Sequence, residues 1–575
     1  MCPLDAISSA DLTTYSIVCD GVELPQQYQL EYIDIRRAIN RIASAELAFV
    51  DGNAGDQDFA LSSGDALKPG AEVAIQLGYA NRNEAVFKGV IVSQQIKVTR
   101  SGQSRLIIGC RDRAFVLAQG EQSAHFAGQS DSDVIAQLAS KAGLGADIAN
   151  TSVNWTDLVQ LRQSDWDFII QRAELNGLLV NTLDGELIAQ PVPQAMPAGT
   201  LSYGVNVIDL DLEIDARSQF SNTEAMGWSA VEQANTTQAG SSSVATSGNL
   251  SPAQLAGSAG DKTRQLRADG DLDANLLQNW ANACVDRQHL GQIQGTVTLQ
   301  GRASLKPGEW LQLEGFGSRF NGLVFVSGLL HAVSRGNWLT TLQIGLSPDW
   351  HRERLGQVAG PSGLGSHQGL HIGKVVALAD DPDGEERIQV KLMTLGDEHQ
   401  GVWARWLSMD AGNQRGAVFR PEIDDEVIVG FMDGDATQPV VLGAVHSSAN
   451  PAPIEAEDDN PEKGWTTRSG MQVLFNDDEV SLRLETPAGN SILLSEDEEA
   501  VSIIDQHDNR WVMNSDGVSL SSSNKILIEN SADIEIKGTN IKLDASANIE
   551  IKAGANNSVE GGAVTTVKGS LVQIN

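Results

Sequence analysis

The sequence is poor in cysteine and in basic residues. Only four of its 575 residues are cysteines, they form no CxxC pair, and they lie at Cys2, Cys19, Cys110 and Cys284. This wide spacing predicts free thiols in a reducing compartment rather than a disulfide framework or a metal site. Lysine and arginine number 40 against 75 aspartates and glutamates, for a formal net charge of −35. A nucleic-acid partner is therefore excluded, because phosphate binding needs a basic surface.

The sequence also lacks targeting and membrane-spanning signals. No apolar stretch approaches the roughly 20 residues that a transmembrane helix needs. Residues 1–12 have neither a basic region nor an apolar core, so we expect synthesis in the cytoplasm without a Sec signal peptide. The negative charge disfavours adhesion to anionic membranes, and any contact with a target membrane would have to be mechanical.

A short repeat near the end of the chain is the most informative feature present. Apolar residues occur in pairs with two-residue spacing, and the pairs follow each other at steps of eight, seven and eight residues: Ile526/Ile528, Ile534/Ile536, Ile541/Leu543 and Ile549/Ile551. Period two places both members of a pair on one face of a strand. Strands this short need stacked coils or other chains to bury that face. We interpret the repeat as the shaft of an intertwined trimeric β-helix with these eight side chains as its core.

The rest of the chain is predicted to be mainly β and multidomain. Residues 1–355 read as strands with helices near 131–142, 164–176 and 274–290, interrupted by a flexible excursion at 229–265 that is rich in Ser, Gly, Ala and Thr. A Gly/Ser linker at 356–370 precedes five predicted strands at 371–446, which suit an OB-fold barrel. An acidic, Pro-containing linker at 447–465 leads to the predicted spike at 466–575.

Motifs that could carry chemistry are weak, and we predict no catalytic, cofactor-binding or metal site. His367 and His371 have the spacing of metal ligands but lie in a Gly-rich segment without a glutamate base. Residues 381–386 resemble a calcium loop superficially, but a hairpin turn is the better interpretation. Trp403 and Trp406 are interpreted as packing or trimer contacts rather than a ligand platform. Residues 525–575 contain no aromatic residue and no histidine, which argues against a carbohydrate-degrading β-helix.

Three separate segments resemble VgrG-type spike proteins of contractile injection systems. Residues 406–412, 416–421 and 425–431, continued by 433–435 and 443–445, resemble the OB-fold of that family. Residues 161–168 and 173–177 resemble its hub-domain helix motif, and the turns at 486–490 and 508–510 resemble those that open its β-helix. The three segments occur in the order and spacing expected for the family.

The resemblance implies a homotrimer with two β-barrel-type hub domains per chain, an OB collar and a needle. It implies an inner-tube protein and baseplate components as partners, possible effector cargo, and assembly at the baseplate end of a phage-tail-like particle. It also implies a PAAR-type tip protein, docked on the apolar end residues Leu571, Val572 and Ile574. The gap between collar and needle has no room for an enzyme domain, so a non-enzymatic spike is expected.

The subtype stays open between two readings. The compact hub and short spike resemble extracellular, antifeeding-prophage-like systems, and a type VI secretion spike is the alternative. A trimeric receptor-binding tailspike and a β-helix polysaccharide-degrading enzyme are the alternatives from other classes.

Overall fold

The computed structural model describes residues 12–100, 102–268, 270, 272–355, 369–396 and 398–574. Its contacts divide the chain into two compact units, residues 1–446 and 447–575. The described residues form 35 strands and seven helices. The prediction of a mainly β, multidomain chain is therefore confirmed. The predicted linker at 356–370 lies almost wholly outside the described residues, as do His367 and Cys2.

The first part of the larger unit alternates long strands with short turns. Its elements are β1 Thr13–Cys19, β2 Val22–Glu23, β3 Leu30–Ala38, β4 Arg41–Val50, α1 Ala60–Ser63, β5 Glu72–Tyr79, β6 Arg82–Val98 and β7 Ser104–Arg111. A mixed segment follows: β8 Gln122–Ser130, α2 Asp131–Lys141, β9 Gly145–Ile148, β10 Asn154–Gln163, α3 Asp165–Leu175, β11 Leu178–Leu183 and β12 Glu186–Pro191.

The next segment returns to the large sheet after a helical insertion. Its elements are β13 Pro197–Ser202, β14 Val207–Ile214, β15 Asn222–Ser229, β16 Ala234–Ala239, α4 Pro252–Ser258, β17 Thr263–Ala268, α5 Ala274–Leu290, β18 Ile293–Gln300, β19 Trp310–Glu314, α6 Gly317–Phe320, β20 Gly322–Ser334, β21 Asn337–Ile344 and α7 His351–Arg354.

One thirteen-stranded sheet joins the two halves of this hub region. Its main path runs β14-β18-β21-β20-β3-β4-β7-β6-β5-β1-β2, with β19 pairing to β20 and β13 to β19. Each half has its own apolar core, one around Ile33, Leu47 and Ile75 and the other around Val297 and Leu342. The antiparallel pairing of β20 with β3 is the connection between the halves. The two hub domains thus share a sheet while burying separate cores.

Helices α2, α3 and α5 cover a third core beside the sheet. Ser130 caps α2 in a reciprocal capping box with Asp133, and the Ser164 hydroxyl caps α3 by accepting from the Asp167 N–H. Helix α3 ends at Asn176 and Gly177, where φ is +70° and glycine is favoured. The predicted helix starts are confirmed, and α5 spans 274–290 as predicted.

The prediction of a flexible excursion at 229–265 is wrong for much of that segment. Strands β16 and β17 flank β15 in a three-stranded sheet, and α4 begins with a capping box at Ser251. Small polar residues form these elements because α5 packs against the sheet and supplies the apolar surface: Gly240, for example, lies against Ala281 and Val285, where a larger side chain would clash. Composition alone does not reveal that a segment packs against apolar surface supplied by another element.

A closed five-stranded barrel follows the hub region. Its strands are β22 His371–Ala377, β23 Ile388–Leu392, β24 Val402–Trp406, β27 Glu426–Phe431 and β28 Pro439–Ala444, with a small hairpin of β25 Ala411–Gly412 and β26 Arg415–Gly416 between β24 and β27. Alternate valines and isoleucines fill its interior. The predicted OB-type barrel is confirmed as part of the fold.

The smaller unit contains a seven-stranded antiparallel meander. Its strands are β29 Glu462–Thr466, β30 Gln472–Asn476, β31 Ser481–Glu485, β32 Ser491–Ser495, β33 Ala500–Ile504, β34 Arg510–Asn514 and β35 Gly517–Ser521. Each strand pairs with its sequence neighbour inside one chain. The predicted winding of strands between chains therefore does not describe 466–521, and it remains a prediction for the residues beyond.

A buried histidine lies where the two halves of the hub sheet meet. His331 of β20 pairs with Ile35 of β3, and its Nδ1 is 2.9 Å from the Thr340 hydroxyl. Burial, assisted by the nearby Arg37 guanidinium, lowers the pKa of His331 to about 3. The folded chain therefore keeps this ring neutral at pH values where an unfolded chain protonates it, since an unperturbed histidine has a pKa of about 6.5.

This burial predicts acid lability of the hub. Below about pH 6.5 this histidine binds a proton in the unfolded state but stays neutral in the native state. The free energy of unfolding therefore falls by ~1.4 kcal/mol for each unit by which the pH is lowered, down to about pH 3. We expect His331→Asn to remove this contribution, so that the difference in unfolding free energy between wild type and variant shrinks from pH 6.5 to 4 in urea titrations. His446→Asn, at an exposed histidine, serves as control. Parallel pH profiles for wild type and His331→Asn would contradict the assignment.

Candidate assembly surfaces

A buried carboxylate in α3 ties the hub together. Glu174 accepts a hydrogen bond from the Asn40 side-chain amide at 2.9 Å and another from the His351 backbone N–H at 2.9 Å. It also forms ion pairs with Arg287 of α5 and, at 3.8 Å, with Arg354 of α7. Three helices and the turn between β3 and β4 therefore meet at one side chain. Both oxygens of this buried carboxylate therefore have N–H or guanidinium partners, as a buried polar group requires.

A second buried ion pair fixes the start of α2 against α3. The Arg172 guanidinium donates to Asp131 at 2.6 Å, and both side chains are fully buried. Arg172 also lies over the Trp155 ring at 4.5 Å, and Asn176 donates to Asp131 at 2.7 Å. Glu174 and Asn176 belong to the segment 173–177, which resembles the hub-domain motif. Arg172 directly precedes that segment. The structure thus gives this motif a packing role that sequence reasoning did not assign.

Strand β10 connects the hub to the barrel. Val159 and Leu161 of this strand are fully buried within the barrel's own apolar core. Asp157 lies two positions before Val159 in the same strand. Its carboxylate accepts a hydrogen bond from the Trp403 backbone N–H at 2.9 Å and contacts His125 Nε2 at 2.7 Å. Hub and barrel therefore share a core and a buried polar contact. A sequence signal was available, since Leu158, Val159 and Leu161 are apolar, but it does not show which core these residues enter.

The loop at 381–386 is a turn fastened by arginine. The Asp381 carboxylate accepts the backbone N–H groups of Asp383, Glu385 and Arg387, and it pairs with the Arg387 guanidinium at 2.6 Å. Burial opposes ionisation, but the hydrogen bonds from Arg387 outweigh it and lower the pKa of Asp381 to about 2. These donors occupy the oxygens that a calcium ion would need.

The remaining weak motifs also have structural roles. Trp406 packs under the Arg420 guanidinium at 5.4 Å, and the Trp403 backbone joins the barrel to β10. Within the described ranges, no group of three or more His, Cys, Asp or Glu residues is arranged to hold a metal ion. Cys19, Cys110 and Cys284 are buried free thiols, and burial raises the pKa of Cys110 to about 12. No helix in the part of the chain that the structure describes is long and apolar enough to cross a membrane.

The predicted trimer core forms an exposed apolar stripe on the single chain. Its members are 47–69% exposed, and we call them the apolar stripe: Ile526, Ile528, Ile534, Ile536, Ile541, Leu543, Ile549 and Ile551. No strand pairing is formed within residues 522–574 of one chain. The predicted docking residues are also exposed, with Leu571 at 76%, Val572 at 48% and Ile574 at 91%. One chain by itself does not bring these side chains into a core.

The meander adds apolar surface that sequence reasoning missed. Large apolar side chains remain more than a third exposed on its strands: Trp465, Phe475, Leu484, Ile492, Leu494, Ile503, Trp511, Met513, Val518 and Leu520. The available signal was the period-two spacing of two such residues on each of β32, β34 and β35. A sheet that exposes this much apolar surface is typical of an interface.

Comparisons with known proteins agree with this architecture. The family of type VI secretion system and phage-baseplate injector OB domains matches residues 371–446, which contain the closed barrel. The VgrG4b spike protein of the Pseudomonas aeruginosa type VI secretion system is 35% identical over 95 residues, 15% of this chain and 12% of that protein. VgrG3 of Vibrio cholerae is 26% identical over 155 residues, 25% of this chain and 15% of that protein. The chain thus spans less than a sixth of the length of these relatives.

A solved structure extends the similarity to most of the chain. The structure of the Francisella PdpA-VgrG complex superposes with a TM-score of 0.52 and 10% identity, covering 90% of this chain and 89% of that one. At this identity the match establishes the fold. The order of hub, OB barrel and C-terminal β unit is similar to that of VgrG-type spike proteins of contractile injection systems, in agreement with the resemblance found in the sequence. The chain belongs to the Alg8 N-terminal domain family, whose profile matches residues 9–335.

The Glu174 network predicts a large loss of hub stability on its removal. Glu174→Gln deletes the charge that neutralises Arg287, and breaking one side of a buried ion pair costs about 3–5 kcal/mol. We expect a decrease of that size in the free energy of unfolding, measured by urea denaturation. The control is Glu186→Gln at the exposed first residue of strand β12, which should change stability by less than about 0.5 kcal/mol. A Glu174→Gln protein as stable as this control would show that the network does not hold the hub.

Proposed function

We propose that this protein is the trimeric hub and central spike of a contractile injection system, which caps the inner tube and is driven mechanically through a target envelope. The observation that supports this proposal is the exposed apolar stripe, which follows a hub and collar of VgrG type in the sequence. Three chains wound around one axis would bury the stripe, and each side chain fully buried contributes about 1.5–3 kcal/mol. Winding would also pair the backbone groups of 522–574 between chains.

The joint between hub and barrel supports a force-bearing role. Val159 and Leu161 enter the barrel core, so load on the collar is transmitted to the hub through packed side chains and the Asp157–Trp403 contact rather than a free linker. We propose the division 1–355 for the hub, 371–446 for the collar and 466–575 for the spike, with the intertwined part beyond the meander. The inner-tube protein and baseplate components would contact the hub, and a PAAR-type tip protein would dock on Leu571, Val572 and Ile574.

The proposed work requires no catalysis. The turn at 381–386 and the tryptophans of β24 have packing roles, and the proposal assigns no catalytic residue. The protein would be made in the cytoplasm and assembled at the baseplate end of the particle. The compact hub and short spike favour an extracellular, antifeeding-prophage-like particle. A type VI secretion spike is the second candidate, favoured by the names of the Pseudomonas and Vibrio relatives.

The native mass of the purified chain tests the assembly. Light scattering should give three times 61.3 kDa for the full chain. Deleting residues 466–575 should yield monomer, because the apolar surfaces that hold the chains together are lost. Deleting only 564–575 should leave the trimer intact and abolish co-purification of the tip protein. A trimer that survives the larger deletion would move trimerisation to the hub and collar, and a monomeric full-length chain would contradict the spike.

A single buried charge should block the intertwined rod. Ile536→Asp places three carboxylates at one level of the axis, inside the apolar core of the proposed rod. Burying unpaired charges is costly, so we expect loss of the trimer in light scattering and in sedimentation. Asn540→Asp introduces the same charge in the turn between two repeats and should leave the trimer unchanged. An Ile536→Asp trimer with wild-type melting would show that this side chain does not face the axis. Co-sedimentation with tube proteins then separates a central spike from a peripheral tailspike.

A further inference from the structure

The charged residues of the repeat alternate in sign from one repeat to the next. The position between the two apolar residues is Leu527 in the first repeat and Glu535, Lys542 and Glu550 in the next three. The position after the second apolar residue alternates in the opposite phase. Together these residues form what we call the charge ladder: Glu535, Lys542 and Glu550 in one row, and Glu529, Lys537, Asp544 and Lys552 in the other.

The charge ladder lies on the solvent side of the repeat. Its members differ by an odd number of positions from the apolar stripe, so period two places them on the opposite face of each strand. Lys542 pairs with Asp544 at 3.4 Å, and ion pairs also join Glu535 to Lys537 and Glu550 to Lys552. The side chains of these six residues are 69–86% exposed.

Threefold winding determines which residues would become neighbours between copies. This step rests on the trimeric rod proposed above. When three identical chains each move to the next face after one repeat, every face of the rod is occupied in turn by all three chains. A repeat of one copy is then stacked on the following repeat of another copy. Lys542 of one chain therefore comes beside Glu535 and Glu550 of its neighbours.

We propose that the charge ladder is a recognition surface for further copies of this chain and sets the register in which they wind. In the register of successive repeats, every ladder contact between copies joins opposite charges. A slip by one further repeat would place Glu535 beside Glu550 and Lys537 beside Lys552. Cross-strand pairs of opposite charge stabilise a sheet and like charges destabilise it. The apolar stripe is nearly the same in every repeat and cannot make this distinction.

The alternation fits interleaved chains better than one coiled chain. A single chain folded as a three-sided coil would stack each repeat on the third one after it. Across residues 525–552 this brings together only the first and fourth repeats, with Leu527 beside Glu550 and Glu529 beside Lys552. Such a coil would make one attractive ladder contact within these residues, and it would leave the ladder charges of the second and third repeats without a contact there. Charge complementarity at one-repeat spacing therefore points to a second copy as the partner.

Charge reversal at one position tests the register function. Lys542→Glu replaces two attractive contacts per chain with two repulsive ones, and we expect the melting temperature of the trimer to fall by about 5 °C or more at low salt. Reversing all seven ladder charges together restores complementarity and should return the melting temperature to within about 2 °C of wild type. Lys568→Glu, outside the ladder, is the control. In 1 M salt the difference between Lys542→Glu and wild type should largely vanish, because the Debye length is about 3 Å.

The outcomes separate this inference from the proposed function. A Lys542→Glu trimer that melts like wild type, or a full reversal that fails to rescue it, would overturn the register role while the light-scattering mass still shows a trimer. A wild-type chain that is monomeric by light scattering would instead overturn the trimeric rod itself. Loss of the trimer in Lys542→Glu and its recovery in the full reversal would establish that the ladder selects the partner chain.

Discussion

The carboxylate of Glu174 is the interaction on which the larger unit depends. It lies inside the protein, and it is held there by an amide, a backbone N–H and two guanidinium groups from different elements. A buried charge is tolerated only when its partners are in place, so each of these elements has one allowed position relative to α3. The helices in turn cover the core beside the thirteen-stranded sheet. A single residue separates α3 from β10, and side chains of β10 are buried in the core of the barrel.

The two units differ in how far they bury their apolar surfaces within one chain. The larger unit buries its cores within one chain: the two sheet halves, the helical layer and the barrel each have a closed apolar cluster. The smaller unit leaves the apolar stripe and much of the meander exposed on one chain. Exposed apolar surface of this extent is characteristic of a protein that completes its fold by association. The proposed trimer agrees with this division.

Local signals in the sequence were good predictors of individual elements. The helix starts at Ser130 and Ser164 could be identified because a cap and a period of 3.6 act within a few residues. The five barrel strands could be identified because apolar residues alternate between polar turns. The prediction from composition was wrong at 229–265, because small residues there, such as Gly240, pack against Ala281 and Val285 of α5, a contact that composition does not encode. The roles of Glu174 and Asp157 were not predictable either, because their partners are separated by up to 246 residues.

Short windows of the sequence were enough to predict the fold class and the apolar pattern of the C-terminal repeat. Mainly β structure, the OB-type barrel, the resemblance to VgrG-type spikes and the spacing of the apolar stripe all follow from residues within short windows. Three features became visible only with the positions of distant elements: the sheet that the hub halves share through β20 and β3, the entry of β10 into the barrel core, and the pairing of 462–521 within the chain. Periodicity specifies which face of an element is apolar. It cannot specify which distant surface covers that face, because packing depends on the positions of all elements at once.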